Sequence, residues 1–354
     1  MAIQSISVNN VMVFEHQTTL NGDAGEFHLD FCGGINVLIG ENGVGKTTLL
    51  KMIYAATQWS REENGKLRPV LFSHYFSSSL QEGSSIRNTR HPQDSSSFRV
   101  TSGQSELVYR PAAAGPGDMM EVGSKWSNIS AVFIPTTEML SHAKGFLALN
   151  EKYRMPFDRT QVDIIVNASL PETIEVTPVM QKAMEKISGV IEGTVIQIDD
   201  IFYVVKKDGR RVDFSLEAEG YRKLGLLWKL IRNGLLEPGS VLLWDEPEAN
   251  LNPELYPLVA EILLELANSG VQIFAATHSY NFAKYLEIRR TSDESVLFHN
   301  LFWAAADSEA NEAAIQAEGE RKTVGCNSAH YMEKLSPNHI MMADNRLLDE
   351  VYDL

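Results

Sequence analysis

Two stretches of this chain carry the residue types and spacing that bind and cleave nucleotide phosphates. The first follows the pattern G-x-x-x-x-G-K-[ST] and consists of Gly40, Glu41, Asn42, Gly43, Val44, Gly45, Lys46, Thr47 and the following Thr48. Its glycines permit a backbone path that turns successive N–H groups toward phosphate oxygens. We expect Lys46 to reach the β- and γ-phosphates of ATP and the hydroxyl of Thr47 to bind Mg²⁺.

The segments on either side of this loop have the patterns of the elements that would position it. Ile35–Ile39 is a short β-branched run that is typical of a buried strand, and Thr47–Tyr54 has helical spacing. The amino terminus of such a helix adds a partial positive charge beside the phosphates. The alternative is a glycine-rich turn that binds nothing, and it would not require these flanking elements.

The second stretch is an apolar run, Val241–Trp244, that ends in the carboxylates of Asp245 and Glu246. Open α/β sheets bind ligands at the carboxyl ends of their strands, so Asp245 is placed to hold Mg²⁺ directly or through water. Glu246 would then polarise the attacking water as a general base. The alternative for Glu246 is a surface carboxylate that follows a strand without taking part in chemistry.

Three further segments resemble the conserved motifs of ABC-type ATPases. Asp245–Pro253 resembles the Walker B motif and the D-loop, which includes Asn250. Ala276–Ser279 follows another apolar run and resembles the H-loop, whose histidine, here His278, contacts the γ-phosphate. The alternative for His278 is an ordinary histidine at a strand end. Glu217–Leu224 resembles the signature motif, which in ABC dimers caps the nucleotide of the opposite subunit.

The order of these motifs is that of the ABC/SMC/RecF-like superfamily of P-loop ATPases. The residues of these motifs are most similar to those of the small OLD-like "AAA family" ATPases of bacterial anti-phage systems such as Septu, PARIS and retron operons. The resemblance covers about residues 1–60 and 195–295. It implies ATP and Mg²⁺ as cofactors, catalytic roles for Glu246, Lys46 and His278, and nucleotide contacts from Glu219, Gly220 and Asn250.

Some positions depart from the family pattern. Ala218 stands where the signature serine is expected, and Ser215 lies three positions earlier. Gly220 still offers an N–H at a helix amino terminus, which is the physical centre of that motif. The Q-loop has no glutamine, and Glu138, at the end of the apolar run Val132–Thr137, is the candidate for that place and a further candidate metal ligand.

Composition is that of a soluble globular protein, with 354 residues, 44% hydrophobic and 22% charged. Cys32 and Cys326 match neither a disulfide framework nor a metal-binding spacing, which indicates a reducing cytosol. No segment of the sequence is long and apolar enough to span a membrane. We therefore expect a cytoplasmic protein without a membrane partner.

The net charge of -15 disfavours DNA as a partner, because affinity for DNA comes largely from Lys and Arg. A local basic cluster, Lys206–Arg211, surrounds the dipeptide Asp208-Gly209, which predicts a hairpin between the runs Ile201–Val205 and Val212–Phe214. This cluster is either a solvated turn or a contact for a partner or nucleic acid.

We predict an α/β fold: an ABC-type P-loop NTPase head with a mixed core sheet, helices on both faces, an antiparallel β-subdomain and a short helical lid or arm. The predicted parts are an N-terminal ATPase lobe (1–138, with a mobile loop near 81–95), the helical lid or arm (139–194), a C-terminal lobe with the remaining motifs (195–295) and a C-terminal helical tail (296–354). In the tail we expect an Ala/Glu-rich helix over Ala304–Gly319. A final amphipathic helix would carry the apolar residues Ile340, Met341, Leu347, Leu348, Val351 and Tyr352.

The resemblance implies an ATP-hydrolysing switch or sensor that forms a head-to-tail dimer, or a higher even-numbered oligomer, and controls a separately encoded effector such as a nuclease. The tail has no acidic pattern of a fused nuclease, and the sequence has no sustained heptads of a long coiled-coil arm. One alternative is a RecF-like DNA-binding repair ATPase, which the acidic charge disfavours. Another is the ATP-binding subunit of a membrane importer, which the elaborated region 60–195 disfavours.

Overall fold

The computed structural model describes residues 2–15, 17–18, 24–58, 74–76, 86, 95–110, 119–122, 126, 129–153, 155–305 and 322–353. The strands are β1 (Ile3–Asn9), β2 (Gln17–Thr18), β3 (Ala24–Gly25), β4 (Phe27–Asp30), β5 (Ile35–Gly40), β6 (Ser97–Ser102), β7 (Ser105–Arg110), β8 (Met119–Val122), β9 (Ala131–Ile134), β10 (Gly193–Ile198), β11 (Ile201–Lys206), β12 (Arg211–Asp213), β13 (Val241–Asp245), β14 (Gln272–Thr277), β15 (Val296–Ala305) and β16 (Lys322–Ala329). The α-helices are α1 (Lys46–Gln58), α2 (Phe146–Tyr153), α3 (Arg159–Ala168), α4 (Pro178–Ile191), α5 (Glu219–Arg232), α6 (Tyr256–Asn268), α7 (Tyr280–Arg289) and α8 (His339–Tyr352).

The central sheet has the strand order β16-β15-β5-β14-β13-β9. All its neighbouring pairs are parallel except β15 and β16, which pair antiparallel at one edge. Strand β5 lies between β14 and β15, and each of its residues is buried, as the run Ile35–Ile39 predicts. Because β5, β13 and β14 are parallel, the phosphate loop, Asp245 and Thr277 all lie at the same edge of the sheet.

Helices cover both faces of this sheet. Successive strand residues point to opposite faces, so Ile35, Val37 and Ile39 join one hydrophobic cluster and Leu38 joins another. The first cluster includes residues of α3 to α7, and the second includes α1 and the antiparallel strands β1, β4, β6 and β7. The predicted fold class, a P-loop NTPase head with a mixed sheet and helices on both faces, is confirmed.

A second sheet, with the order β4-β1-β6-β7-β8, is antiparallel throughout and packs beside α1. It confirms the predicted antiparallel β-subdomain. The loop predicted near 81–95 lies outside the described residues except for residues 86 and 95. A third, smaller sheet contains β10, β11 and β12, and Gly209 in its turn has a φ of 85°, which confirms the predicted hairpin.

The segment after the β-subdomain is helical, as predicted. Thr177 caps α4, since its side chain accepts a hydrogen bond from the Met180 N–H, and Pro178 begins the helix. The buried face of α4 consists of the predicted residues Met180, Ala183, Met184, Ile187 and Ile191. This face joins the hydrophobic cluster under the central sheet. The boundaries of the lid or arm at 139 and 194 stay predictions.

The prediction of a helical tail over 296–354 is wrong for two segments, because Val296–Ala305 and Lys322–Ala329 are strands of the central sheet. Ala304, where a helix was expected to begin, lies in β15, and residues 306–321 lie outside the described ranges. The physical reason is non-local: β5 offers a full row of backbone hydrogen-bonding groups to β15, and this pairing outweighs local helix propensity.

The predicted last helix exists as α8. None of its residues is fully buried, and the predicted apolar face is largely in contact with solvent, with Leu347 and Tyr352 exposed by 59% and 85%. No helix in the described ranges combines the length and the apolar character needed to cross a bilayer.

Candidate nucleotide-binding site

The phosphate loop connects β5 to α1, and its glycines adopt backbone conformations that other residues rarely take. The φ angles of Gly40, Gly43 and Gly45 are 139°, 81° and 94°. A Cβ on Gly40 would lie 2.0 Å from the carbonyl oxygen of Leu301 in β15, and one on Gly45 would lie 2.5 Å from the ring of Phe14. The neighbours of Gly40 and Gly45 would therefore have to move if either glycine were replaced, whereas Gly43 is restricted by its φ angle alone.

The Lys46 ammonium is held inside this loop. Its Nζ donates hydrogen bonds to the carbonyl oxygens of Gly40 and Glu41, both at 2.8 Å. Burial lowers the pKa of Lys46, and the carboxylates of Asp245 and Glu246 oppose that shift. A buried ammonium with carbonyl ligands is ready to exchange them for phosphate oxygens, which carry more negative charge.

The remaining predicted loop residues differ in how far they are exposed to solvent. Asn42 and Gly43 are exposed at the tip of the loop, Val44 is buried beneath it, and Thr48 is half-buried in the first turn of α1. The Glu41 carboxylate lies 3.1 Å from Nδ1 of His339, the first residue of α8. The C-terminal helix is thus attached beside the phosphate loop.

The two halves of the predicted site meet at Thr47 and Asp245. The Thr47 hydroxyl lies 3.0 and 2.9 Å from the two carboxylate oxygens of Asp245. The hydroxyl of Thr136, two residues beyond β9, donates to the same carboxylate at 3.1 Å. Hydroxyl and carboxylate oxygens are the hard ligands that Mg²⁺ prefers, so Thr47 and Asp245 fit a Mg²⁺ that is also bound by phosphates.

The electrostatics of Asp245 favour a bound cation. Burial raises the pKa of Asp245, while the hydrogen bonds from Thr47 and Thr136 oppose that rise. An uncompensated buried carboxylate is unfavourable, and a divalent cation would remove this penalty. Within the ranges that the structure describes, no group of three or more His, Cys, Asp or Glu residues is arranged to hold a metal ion.

Glu246 and His278 lie together at the solvent side of Asp245. The Glu246 carboxylate is 3.2 Å from Nδ1 of His278, and the two side chains are 30% and 50% exposed. Glu246 has a φ of 51°, a conformation that costs a non-glycine residue about 1–3 kcal/mol. Its N–H donates to the carbonyl of Ala276 in β14 at 2.8 Å, which helps to hold this turn. A strained backbone therefore presents the carboxylate to solvent.

Glu219, Gly220 and Asn250 form a second group. Asn250 donates from its side chain to the Glu219 carboxylate at 2.7 Å, and it has a φ of 61°. A Cβ on Gly220 would lie 2.9 Å from the Asn250 carbonyl oxygen and 3.0 Å from the Leu251 side chain. The signature-like helix α5 is packed directly against the D-loop. Among the described residues, Glu219, Gly220 and Asn250 contact one another and Leu251, and no contact found there joins them to the phosphate loop.

The amino terminus of α5 has no side-chain cap. Ala218 occupies the N-cap position without a cap hydrogen bond, while the Ser215 hydroxyl donates to Asp213 at 2.7 Å. Ser215 is therefore engaged in the preceding turn. The absence of the signature serine at Ala218 therefore also leaves the amino terminus of α5 without a capping side chain.

Glu138 is not brought to Thr47 or Asp245. Its carboxylate accepts the Leu140 N–H at 2.5 Å and lies 3.3 Å from the Arg222 guanidinium. These partners occupy a side chain that was expected to bind metal. The structure instead places the hydroxyl of Thr136 beside Asp245. The sequence signal for Thr136 is its place among the polar residues that follow β9, the same segment that suggested Glu138.

Sequence reasoning also missed Glu248 and Lys223. The buried Glu248 carboxylate accepts a hydrogen bond from the Thr277 hydroxyl at 2.5 Å, and burial raises its pKa. Thr277 in turn accepts the N–H of Ser279, so the D-loop supports the loop that carries His278. A second acidic residue two positions after the Asp-Glu pair was the available signal for Glu248.

Two protein families match different parts of the chain. Residues 140–283 match the family described as "AAA domain, putative AbiEii toxin, Type IV TA system". Residues 5–128 match a family described as "AAA domain". The first match contains Asp245, Glu246 and His278, and the second contains the phosphate loop.

Curated proteins from Bacillus subtilis (strain 168) are similar over about half of the chain. The L-cystine import ATP-binding protein TcyN is 25% identical over 178 residues, which cover 47% of this chain and 62% of TcyN. The arginine transport ATP-binding protein ArtM is 23% identical over 190 residues, which cover 53% of this chain and 75% of ArtM. The chain thus spans less than two thirds of the length of TcyN.

A solved SMC head bound to the C-winged helix domain of ScpA has a similar fold. Its TM-score is 0.53 at 12% identity, and the match covers 93% of this chain and 98% of that one. The likeness at this identity concerns the fold alone. Taken with the phosphate loop and the Thr47–Asp245 contact, these findings show an ABC/SMC head-like fold and similarity in sequence to AAA-type P-loop ATPases.

Proposed function

We propose that this protein is a Mg²⁺-dependent ATPase that works as a molecular switch. The observation that carries this proposal is the single edge of the sheet at which Lys46, Thr47, Asp245 and Glu246 meet. These are the parts that phosphoryl transfer to water requires: a phosphate cradle, a cation site and a base.

The roles follow from the contacts. The loop N–H groups and Lys46 bind the β- and γ-phosphates and stabilise negative charge there. Thr47 and Asp245 hold Mg²⁺, which supplies further charge stabilisation when bound. Glu246, exposed beside His278, accepts a proton from the attacking water, and His278 orients that carboxylate and contacts the γ-phosphate.

The switch would operate through association of two heads. In a head-to-tail dimer, the group formed by Glu219, Gly220 and Asn250 would meet the nucleotide of the opposite subunit. Among the described residues, no contact found joins this group to the phosphate loop of its own head. This supports a contact with the nucleotide of the other subunit. ATP binding would close the dimer, or a higher even-numbered oligomer, and hydrolysis would reopen it.

The output would be control of a separately encoded effector, such as a nuclease, in cytoplasmic anti-phage defence. Support comes from the resemblance of the motif residues to those of anti-phage ATPases. It also comes from the matched family description, which names a putative toxin of a toxin–antitoxin system. The two relatives are named for amino-acid import, but the similarity supports nucleotide chemistry rather than their cargo.

The test is phosphate release by purified protein with Mg-ATP, with ATP and EDTA, and by the Lys46→Ala variant. We expect turnover only for the wild type with Mg²⁺, and loss of nucleotide binding for Lys46→Ala, because the phosphates lose their cationic ligand. Glu106→Gln, on β7 of the β-subdomain, is a control that should hydrolyse ATP like the wild type. Absence of Mg-ATP turnover in the wild type would overturn the proposal.

A further inference from the structure

A buried lysine lies beneath the turn that carries Glu246. Lys223 is on α5, one helical turn after Glu219, and only 1% of it is exposed. Its Nζ donates a hydrogen bond to the backbone carbonyl oxygen of Glu246 at 3.2 Å. Lysines are almost never fully buried unless they are paired, so this placement calls for a specific role.

The backbone of Glu246 is held at both its N–H and its carbonyl group. Its N–H is bound by the Ala276 carbonyl, and its carbonyl accepts from the Lys223 ammonium and from the Ala249 N–H, the latter at 3.1 Å. A non-glycine residue with a φ of 51° keeps that conformation only when its surroundings determine it. Lys223 provides the one cationic contact in this set.

The charges around Lys223 keep an ammonium in place there. Burial lowers its pKa, and the carboxylates of Glu219, Glu248, Glu246 and Asp245 oppose that shift. Within the described ranges, no carboxylate oxygen lies at ion-pair distance from this Nζ, so its directional contact is with the Glu246 carbonyl. The ammonium thus orients a peptide group instead of neutralising a single acid.

We propose that Lys223 is a positioning residue for Glu246: it fixes the left-handed turn that aims the general base at the attacking water. This inference rests on the proposed ATPase function. Lys223 shares α5 with Gly220, which packs on the Asn250 carbonyl. In the proposed head-to-tail dimer, a displacement of α5 by the opposite head would therefore move the Glu246 turn of the same head.

The test compares Lys223→Met with a matched control on the same helix. Lys229→Met also removes a buried lysine from α5, but Lys229 pairs with Glu172, at 2.9 Å, and not with the site. We expect Lys223→Met to lower kcat by about 10- to 100-fold, because small misplacements of a catalytic group have effects of that size. Its Kd for ATP, titrated with a fluorescent analogue, should stay within about threefold of the wild-type value, since the phosphate loop is untouched. Lys229→Met should lower Tm while keeping kcat.

The outcomes separate this inference from the proposed function. If the wild type does not hydrolyse Mg-ATP, the function itself fails. If the wild type is active and Lys223→Met has the same kcat, or loses kcat only in proportion to unfolded protein, the role of Lys223 is overturned. Should Lys223→Met not fold, Lys223→Arg and Lys223→Gln replace it. The inference then requires the cationic donor of Arg to retain more kcat than the neutral Gln, and equal values would contradict it.

Discussion

The hydroxyl of Thr47 lies within 3.0 Å of both carboxylate oxygens of Asp245, although the two residues are 198 positions apart in the chain. The contact brings the residue after Lys46 to the carboxyl end of β13. It places two hard oxygen ligands where the phosphates of a bound nucleotide would supply the others.

Glu246→Gln is expected to bind Mg-ATP and to lower turnover by at least about 100-fold, because the amide cannot accept the proton from water. The molar mass of this variant by light scattering should rise to that of a dimer or higher oligomer when Mg-ATP is added. Turnover at the wild-type rate would contradict the assignment of the base. A mass that ATP leaves unchanged would contradict closure of the dimer by ATP and point to Ala218, where the signature serine is absent.

Thr136→Ala is expected to weaken Mg²⁺ binding by about 10- to 100-fold, because groups that orient a metal-binding carboxylate contribute on that scale. Its hydroxyl donates to the Asp245 carboxylate. The measurement is the Mg²⁺ concentration that gives half-maximal phosphate release at saturating ATP. Thr136→Ser keeps the hydroxyl and should restore the wild-type value. An unchanged Mg²⁺ requirement in Thr136→Ala would exclude this role.

Gly220→Ala is expected to destabilise the protein by about 1–3 kcal/mol, the usual cost of forcing a methyl group into a packed interior. The added Cβ would lie 2.9 Å from the Asn250 carbonyl oxygen. Gly189→Ala is the control, because Gly189 is on α4 and a Cβ there would meet nothing within 4 Å. It should stabilise the protein by about 0.5–1 kcal/mol. Urea unfolding measures both, and equal stabilities for the two variants would refute the close approach of α5 to the D-loop.

The stability of the protein is expected to fall between about pH 6.5 and 3 because of His299. This side chain is fully buried in β15 and bonded to Ser328 and Asn36, and burial lowers its pKa from 6.5 to about 3. As the pH falls below 6.5, the unfolded chain binds a proton that the folded protein does not. At pH 5 the resulting loss in the free energy of unfolding is about 2 kcal/mol relative to neutral pH.

The control for this effect is His299→Gln, which keeps hydrogen-bonding groups but does not titrate. Buried carboxyls with raised pKa values, such as Glu248, act in the opposite direction and are present in both proteins. The difference between wild type and variant in pH dependence, measured by urea unfolding at pH 7.5 and 5, therefore isolates His299. An identical pH dependence in the two proteins would rule out the histidine as its cause.

The phosphate loop and the Asp245-Glu246 pair could be predicted because their residue types and spacing are local. Each lies directly after an apolar strand, and a parallel sheet brings strand ends together. Thr136 and Glu138 follow the same strand, and the sequence cannot decide which of them reaches Asp245. Only the packing of Arg222 against Glu138 and the direction of the chain after β9 decide it.

Other features depend on contacts between distant segments and were not predictable in this way. The role of Lys223 requires the distance between α5 and the Glu246 turn, which no local pattern contains. The strand β15 was not predicted because its place in the sheet comes from pairing with β5. The adjacent Ala- and Glu-rich segment favoured a helix on local propensity alone.

The position of β5 in the sheet has a consequence for the synthesis of this protein. The phosphate loop is synthesised before both strands that flank β5, because β14 and β15 lie far downstream of it in the sequence. A ribosome-bound chain that has not reached β15 leaves β5 with an open edge that can pair with other chains. The backbone around the phosphate loop therefore gains its neighbours in the sheet only after β14 and β15 have been synthesised, and this long-range pairing carries a cost in loop-closure entropy.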